Sequence, residues 1–280
     1  MTTTSLEPSS DAIIDVQDFS AAYGGRTVLH NVNFQVHRGE VLVIAGGSGC
    51  GKSTVLFHMV GLYRPAGGKI LIQGQDVHAA SGRELNRLRR QFGVAYQAGA
   101  LFGSLTVLEN VRLPLEEFTD LPREMMDLIA LSKLKLVELE RAAQRLPSEL
   151  SGGMQKRAAL ARAIALDPPI VFLDEPSAGL DPITSAGLDE LILNLSRLLR
   201  TTFVVVTHEL QSIFAIASRV VFLDASTKTV GAIGPPAFLR DNSPDPKVRA
   251  FFNRRPEPAQ EPDGVRHNPA SEKRKETLKP

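Results

Sequence analysis

The chain has 280 residues, 43% hydrophobic and 22% charged, with a formal net charge of +1. That balance suits one large or two small globular domains and makes no electrostatic case for nucleic acid or anionic lipid as main ligand. No apolar run approaches the ~20 residues needed to cross a bilayer. The N-terminal MTTTSLEPSS lacks a signal-peptide core, and the single cysteine, Cys50, cannot form an internal disulfide, so a cytosolic setting is expected.

Residues 1–11 are polar and are expected to be disordered. Ile13–Phe19 has the apolar content of a strand, and Ala21–Tyr23 leads into a Gly24-Gly25 turn. Val32, Phe34 and Val36 alternate with polar residues, the pattern of a strand with one buried face. Arg38-Gly39-Glu40 then turns the chain into the apolar stretch Val41–Ala45. Two strands ahead of that stretch point to an added antiparallel layer.

Gly46–Thr54 reads GGSGCGKST and matches G-x-x-x-x-G-K-[ST], with Gly46, Gly51, Lys52 and Ser53 on the required positions. Glycines let successive backbone N–H groups turn inward as an anion nest, where a Cβ would block approach. A following helix adds its N-terminal partial positive charge, and Lys52 can reach the β- and γ-phosphates. Ser53 offers a hydroxyl to Mg²⁺. The whole loop is therefore assigned to a nucleotide triphosphate: Gly46, Gly47, Ser48, Gly49, Cys50, Gly51, Lys52, Ser53 and Thr54. Cys50 fills an unspecified position of the pattern, and its thiol is read as a bystander rather than a nucleophile.

Ser53–Leu62 is expected as the helix after the loop, and Lys69–Gln73 as a short strand between glycine turns. Ser81-Gly82-Arg83-Glu84 has the form of a capping box, with Leu85, Leu88 and Phe92 on one helical face. Phe92–Tyr96 returns as a strand and stops at Gln97. From Ala98 to Leu166 the pattern is helical. Thr106–Glu109 is a second capping box, Pro122 suits a helix N1 position, and the methionines of Met125–Leu139 read as core packing. Gly152–Leu166 is a further helix, closed by Asp167-Pro168-Pro169. Strand and helix then alternate: Ile170–Leu173, Thr184–Leu199, Phe203–Thr207, Glu209–Ser218 and Arg219–Leu223. A helical block inserted into a parallel α/β fold is the simplest architecture. Past Asp241 prolines accumulate, seven of the 18 within the last 37 residues, and the end from about Arg254 is expected to be disordered.

Ile170–Glu175 is an apolar strand ending in two acids. In a parallel sheet the ligand site lies at the strands' carboxyl ends, which sets Asp174 beside the phosphate loop. Asp174 can hold Mg²⁺ and Glu175 can accept a proton from an attacking water. Leu150-Ser151-Gly152-Gly153-Met154-Gln155 opens a helix and forms a second anion site, with no partner phosphate obvious within the same chain.

With phosphate loop and LSGGQ-like motif in this order, the chain resembles the ATPase subunits of ABC transporters over residues 11 to about 240. The resemblance implies an α/β P-loop NTPase with a RecA-like core, an antiparallel β layer and an inserted helical subdomain. The ATPase domain would span 12–240, the helical subdomain about 98–166, an amphipathic extension 241–253 and a tail 254–280. ATP would be the substrate and Mg²⁺ the cofactor. Tyr23 stands where an aromatic stacks on adenine, and Gln97 where a glutamine contacts Mg²⁺ or the attacking water. Ser151, Gly152, Gly153, Met154 and Gln155 would close over the γ-phosphate bound by a second copy, making a homodimer. Asp181, in Ala178-Gly179-Leu180-Asp181, would link the two sites, and His208 would hydrogen-bond the γ-phosphate.

A narrower resemblance, to the ATPases of Mce-type lipid transporters such as the Mla system, rests on three stretches. They are Gln97–Phe102, SELSGGMQKRAALARAIALDPP and Leu180–Thr184, and the tail Ser243–Phe252 fits as well. Gly47 and Ala98 depart from that pattern, where a proline and a small polar residue are usual. It implies a separate transmembrane permease moving phospholipid, an Mce-domain lipid-binding subunit, no nucleic acid, and a peripheral position on the cytoplasmic side of the inner membrane. An importer of a polar solute such as an amino acid, or a soluble non-transport ABC ATPase, is the alternative. In the tail, Val248, Phe251 and Phe252 share a helical face that either packs on its own domain or contacts a neighbouring subunit.

Overall fold

In the computed structural model, which describes residues 11–255, two β-sheets share one layer of core. The chain opens with β1 (Ala12–Tyr23), β2 (Arg26–His37) and β3 (Val41–Gly46), followed by α1 (Lys52–Met59). Next come β4 (Gly67–Ile72), β5 (Gln75–Asp76), α2 (Gly82–Arg89) and β6 (Phe92–Ala95). Three helices follow, α3 (Val107–Phe118), α4 (Arg123–Leu136) and α5 (Gly152–Ala163). The alternating part holds β7 (Ile170–Asp174), α6 (Pro182–Leu199), β8 (Thr202–Val206), α7 (Leu210–Ile216) and β9 (Arg219–Asp224). It ends with β10 (Thr229–Gly234), α8 (Pro236–Asn242) and α9 (Pro246–Phe252). The expected disordered segments 1–11 and 254–280 lie outside the described residues, apart from Asp11, Arg254 and Arg255.

The antiparallel sheet has the order β2-β1-β4-β5, and the second sheet runs β10-β9-β3-β8-β7-β6. In the latter, β9, β3, β8, β7 and β6 are parallel, and only β10 pairs antiparallel. Strand β3 lies at its centre with both faces buried, and its period of two splits its side chains between two cores. Leu42 and Ile44 pack with Phe19, Phe34 and Ile70 between the sheets, with α1 enclosed. Val41, Val43 and Ala45 pack on the opposite face with residues of α3, α4, α5 and α6. Burial on both faces is why Val41–Ala45 reads as a continuous apolar run rather than an alternation.

Several elements differ from the sequence expectation for identifiable reasons. Strand β2 starts at Arg26, ahead of the alternation at Val32, because its first residues pair across the Gly24-Gly25 turn with Ala22 and Tyr23. Thr106 forms its capping box, accepting from the Glu109 N–H while Glu109 accepts from the Thr106 N–H. Ser81 caps α2 by position only; its side chain makes no capping bond, and Gly82 beside it adopts φ +52°. Pro122 sits one residue outside α4, and of the two methionines there Met126 is buried while Met125 is exposed. Strand β10 and helix α8 carry short, glycine- or proline-bearing sequences with no clear period, and the sequence reading does not contain them.

The tail helix α9 packs on its own domain. Val248 and Phe252 are buried, with the Phe252 ring 6.0 Å from Phe214 of α7 and 6.2 Å from Phe222 of β9. Phe251 stacks edge-on to Phe222 at 5.1 Å. Asp245 caps the helix by accepting from the Lys247 N–H at 2.8 Å. Phe252→Ala should therefore destabilise the isolated chain by about 3 kcal/mol, the usual scale for a buried phenylalanine, in urea denaturation. A change below about 0.5 kcal/mol would show that α9 does not belong to the core.

Candidate functional site

Strand β3 ends at Gly46, and no other residue fits there. Its φ is +150°, and a Cβ would lie 2.4 Å from the Leu223 carbonyl oxygen and 2.6 Å from the Cys50 Sγ. The loop then crosses the carboxyl edge of the sheet and feeds α1 at Lys52. Lys52 Nζ donates to the carbonyls of Gly46 at 3.0 Å and Gly47 at 3.1 Å, which holds the ammonium over the loop. Cys50 points the other way. Its side chain is buried in the core between the sheets, and burial pushes the thiol up from its ordinary range despite the nearby Lys52 charge. Only its backbone is available to a ligand of the loop.

The parallel register of β7 on β8 pairs Asp174 with Val206, so the two acids and the histidine leave the sheet at one edge. Ser53 Oγ donates to Asp174 Oδ1 at 3.2 Å, joining helix α1 to strand β7. Glu175 follows with φ +45°, an unusual conformation for a side chain this large, held by its N–H on the Val206 carbonyl at 2.8 Å. Its carboxylate accepts from Thr207 Oγ1 at 3.1 Å and lies 2.7 Å from His208 Nδ1. Asp174 and Glu175 are buried while His208 is exposed. Burial pushes the Asp174 carboxyl up, and the Ser53 hydrogen bond opposes the shift.

These groups converge on one cleft of about 380 Å³, lined by Val28, Ser48, Gly49, Gly51, Lys52, Ser53, Thr54, Gln97, Glu175 and His208. Tyr23 is half-exposed, hydrogen-bonded to Thr54 and edge-on to Tyr63 at 5.8 Å. Val28 is the lining residue missing from the sequence reading, because it precedes the alternation that marks β2. Ser151–Gln155 do not line this cleft. Ser151 caps α5 by accepting from the Met154 N–H at 3.3 Å, with Gly152 and Gly153 in the first turn. Met154 packs on the core, and the Gln155 amide donates to the carbonyls of Pro147 and Leu150 at 3.1 and 3.4 Å. Asp181 caps α6, accepting from the N–H groups of Ile183 and Thr184, each at 3.1 Å.

A glycine-lined loop, an ammonium and a helix start facing a buried acid pair define a phosphate-loop nucleotide hydrolase. The ABC transporter family model matches residues 29–178. The chain is 40% identical over 248 residues to the intermembrane phospholipid transport system ATP-binding protein MlaF of Escherichia coli K12, covering 89% of this chain and 91% of that protein. It is 39% identical over 242 residues to the probable ribonucleotide transport ATP-binding protein mkl of Mycobacterium leprae, covering 86% and 69% respectively. The ATP-binding cassette MJ0796, solved as a dimer in a post-hydrolysis state with ADP and Pi, matches at TM-score 0.72 and 34% identity, over 79% of this chain and 98% of that one. The chain belongs to the ATP-binding subunits of ABC transporters, and its activity is the hydrolysis of ATP. Among the described residues no helix is long and apolar enough to cross a membrane.

Behind the cleft lies a second buried polar group that the sequence does not mark. Ser177, two residues after Glu175, sits with its Oγ 3.3 Å from Ser212 Oγ of α7, and Ser212 bonds Asp189 of α6. Asp189 Oδ1 has no hydrogen-bond partner among the described residues. Burial pushes the Asp189 carboxyl up to about 6; the Ser212 bond opposes the shift and the Glu209 charge adds to it. The folded state thus holds this proton more tightly than the unfolded chain. The resulting stability is full below about pH 4 and is lost as pH rises through about 6. Asp189→Asn should remove that slope and gain on the order of 1–2 kcal/mol at pH 7.5, solvent screening allowed for. Urea denaturation at pH 5 and pH 7.5 measures it; an equal difference at both pH values would mean that Asp189 does not titrate.

Proposed function

We propose that the chain works as a homodimer with two composite ATP sites, driving a separate membrane permease for phospholipid. The observation that carries the reading is the convergence of Lys52, the Ser53–Asp174 pair and the Glu175–His208 pair on one cleft, with Ser151–Gln155 elsewhere. A helix N-terminus that cannot serve its own chain's cleft can serve that of a second copy. The dimeric state of MJ0796 supports this arrangement.

In each site the loop amides and Lys52 would hold the β- and γ-phosphates, and Tyr23 would stack on the base. Ser53 and Asp174 supply two hard oxygen donors at the loop. This suits Mg²⁺ held jointly with phosphate oxygens, where it would neutralise charge developing on the triphosphate. Gln97 would orient the attacking water. Glu175 Oε1 or Oε2 accepts the water proton as the water oxygen bonds the γ-phosphorus. The bond to the β–γ bridging oxygen breaks, and its electron pair leaves with ADP. His208 holds Glu175 in place and would donate to the γ-phosphate as charge builds there. Ser151, Gly152 and Gly153 of the second copy would complete the oxygen shell, and Asp181 would carry the state of one site to the other.

Phospholipid as cargo is supported by the likeness to MlaF along nearly its whole length, against shorter coverage of the mkl protein. By that likeness the protein would sit on the cytoplasmic side of the inner membrane, with an Mce-domain subunit in the complex. Lipid extraction from the co-purified native complex tests the cargo; a nucleotide or amino acid in place of phospholipid would reject it.

Glu175→Gln should lower turnover by roughly 10²–10⁴-fold while ATP still binds, giving an ATP-dependent dimer in light scattering. Unchanged hydrolysis would remove Glu175 as the base. A mixed dimer of Lys52→Ala with Ser151→Arg puts both defects in one composite site and leaves the other intact. Residual hydrolysis is expected from the mixture and none from either homodimer. Full activity in strictly monomeric protein would end the shared-site model.

A further inference from the structure

Helix α5, capped by Ser151, sends two basic side chains back to the loop between β6 and α3. Arg162 donates to the carbonyls of Ala100 at 2.7 Å and Gly99 at 2.8 Å. Strand β6 itself lies hard against the helix, since a Cβ on Gly93 would fall 1.8 Å from the Ala163 carbonyl oxygen. The outer part of the loop is therefore fixed to α5 without help from Lys156.

Lys156 does something different. Its Nζ donates to the Gln97 backbone carbonyl and, at 3.2 Å, to the Glu175 backbone carbonyl. The Glu175 carbonyl also accepts from the Ala178 N–H at 3.2 Å, which closes the turn leading to Asp181. One half-buried ammonium thus joins three segments: α5, the Gln97 loop and the Glu175 turn. An ammonium can do this because it has three donors and no fixed plane. It also stands in the field of Asp174, Glu175 and Glu209. Glu175 needs such a fastening, because its backbone is in the left-handed region and its carboxylate direction follows from that conformation.

We propose that Lys156 is a positioning residue of ATP hydrolysis. Its ammonium locks α5 to the Gln97 loop and the Glu175 peptide, so that a chain's own acid and the Ser151 turn it presents to a second copy move as one body. The inference rests on the composite-site reading above. Removing the ammonium leaves the phosphate loop and Tyr23 untouched, so ATP affinity of the monomer stays the same. Two things change instead. Glu175 and Gln97 lose their shared anchor in the chain's own site, and the Ser151 turn loses its fixed relation to them. A displacement of about 1 Å at the reacting groups is enough for a loss on the order of 10²-fold.

The test uses the full chain with Lys156→Met and Lys156→Arg, each alone and in a Glu175→Gln background. Lys156→Met should lower kcat by about 10–100-fold with the ATP affinity of the monomer unchanged within about twofold. In the Glu175→Gln background it should raise the ATP concentration needed for half-maximal dimerisation by about tenfold, read by light scattering. Lys156→Arg keeps the charge and donors and should restore most of both. A lysine with a merely structural role would lower the thermal midpoint without moving the dimerisation midpoint. The proposal is overturned if Lys156→Met matches its parent in kcat and dimerisation, or if Lys156→Arg is as impaired as Lys156→Met at an unchanged thermal midpoint. Should Lys156→Met fail to fold, Lys156→Gln takes its place under the same criteria. Failure of Glu175→Gln alone to dimerise with ATP would strike the composite-site reading. Normal dimerisation of Glu175→Gln with a silent Lys156→Met strikes only the role given to Lys156.

Discussion

A strand bonded to parallel neighbours on both edges and buried on both faces leaves its chain a single exit, beyond its carboxyl end. Strand β3 is in that position, between β9 and β8, with Val43 and Ile44 buried in opposite cores. The exit is narrow enough that Gly46 is the only residue the Leu223 carbonyl permits. Parallel pairing then imposes the same polarity on β7 and β8, so their following residues emerge on the same edge. Lys52, Asp174, Glu175 and His208 come from three distant stretches of sequence. What gathers them first is one sheet direction, which then lets Glu175 and His208 bond each other.

Burial sets the terms on which those residues can work. Glu175 has almost no access to water, and a buried carboxylate is expensive unless hydrogen-bonded. Thr207 and His208 supply those bonds from the end of the neighbouring strand, and the Val206 carbonyl fixes the backbone that aims the acid. Asp174 solves the same problem through Ser53, on the helix that follows the loop. Each acid is therefore tied to a different element flanking the cleft, and the cleft's shape depends on all of them.

The parts of this site that were legible in the sequence are those whose chemistry is contiguous. The loop from Gly46 to Thr54 carries its own geometry, and the acids directly follow a short apolar run, Ile170–Leu173, bounded on its other side by Pro168-Pro169. The Thr106 box is local in the same sense, needing only four residues. Ser81 shows the limit: the residue types fit, but Gly82 turns the backbone and the cap bond is not made. Asp189 and Lys156 were invisible for another reason. Each acquires its meaning from a partner far along the chain, across a sheet or a helix pair, and nothing in the neighbouring residues announces it. Cys50 lies between the cases. Its backbone belongs to the loop pattern, while its side chain answers to the core beneath.

The charge balance of the cleft gives an independent reason for closure by a second copy. Lys52 is the one ammonium among the residues lining it, and two buried carboxylates, Asp174 and Glu175, already face that region. A triphosphate adds several further negative charges, and the start of α1 offsets only about half of one. Mg²⁺ held by Ser53 and Asp174 would lessen the deficit without removing it. Helix α5 carries an unused N-terminal turn, with Gly152 exposed and no acidic residue in its first turn. Brought over the γ-phosphate from another chain, that turn would add positive potential where charge accumulates and exclude the water that screens it. In the proposed dimer ATP itself would be the adhesive between the copies, and its hydrolysis would weaken the joint by separating the charge that held it. Motion passed to a membrane partner would then need no conformational signal beyond the opening of that joint.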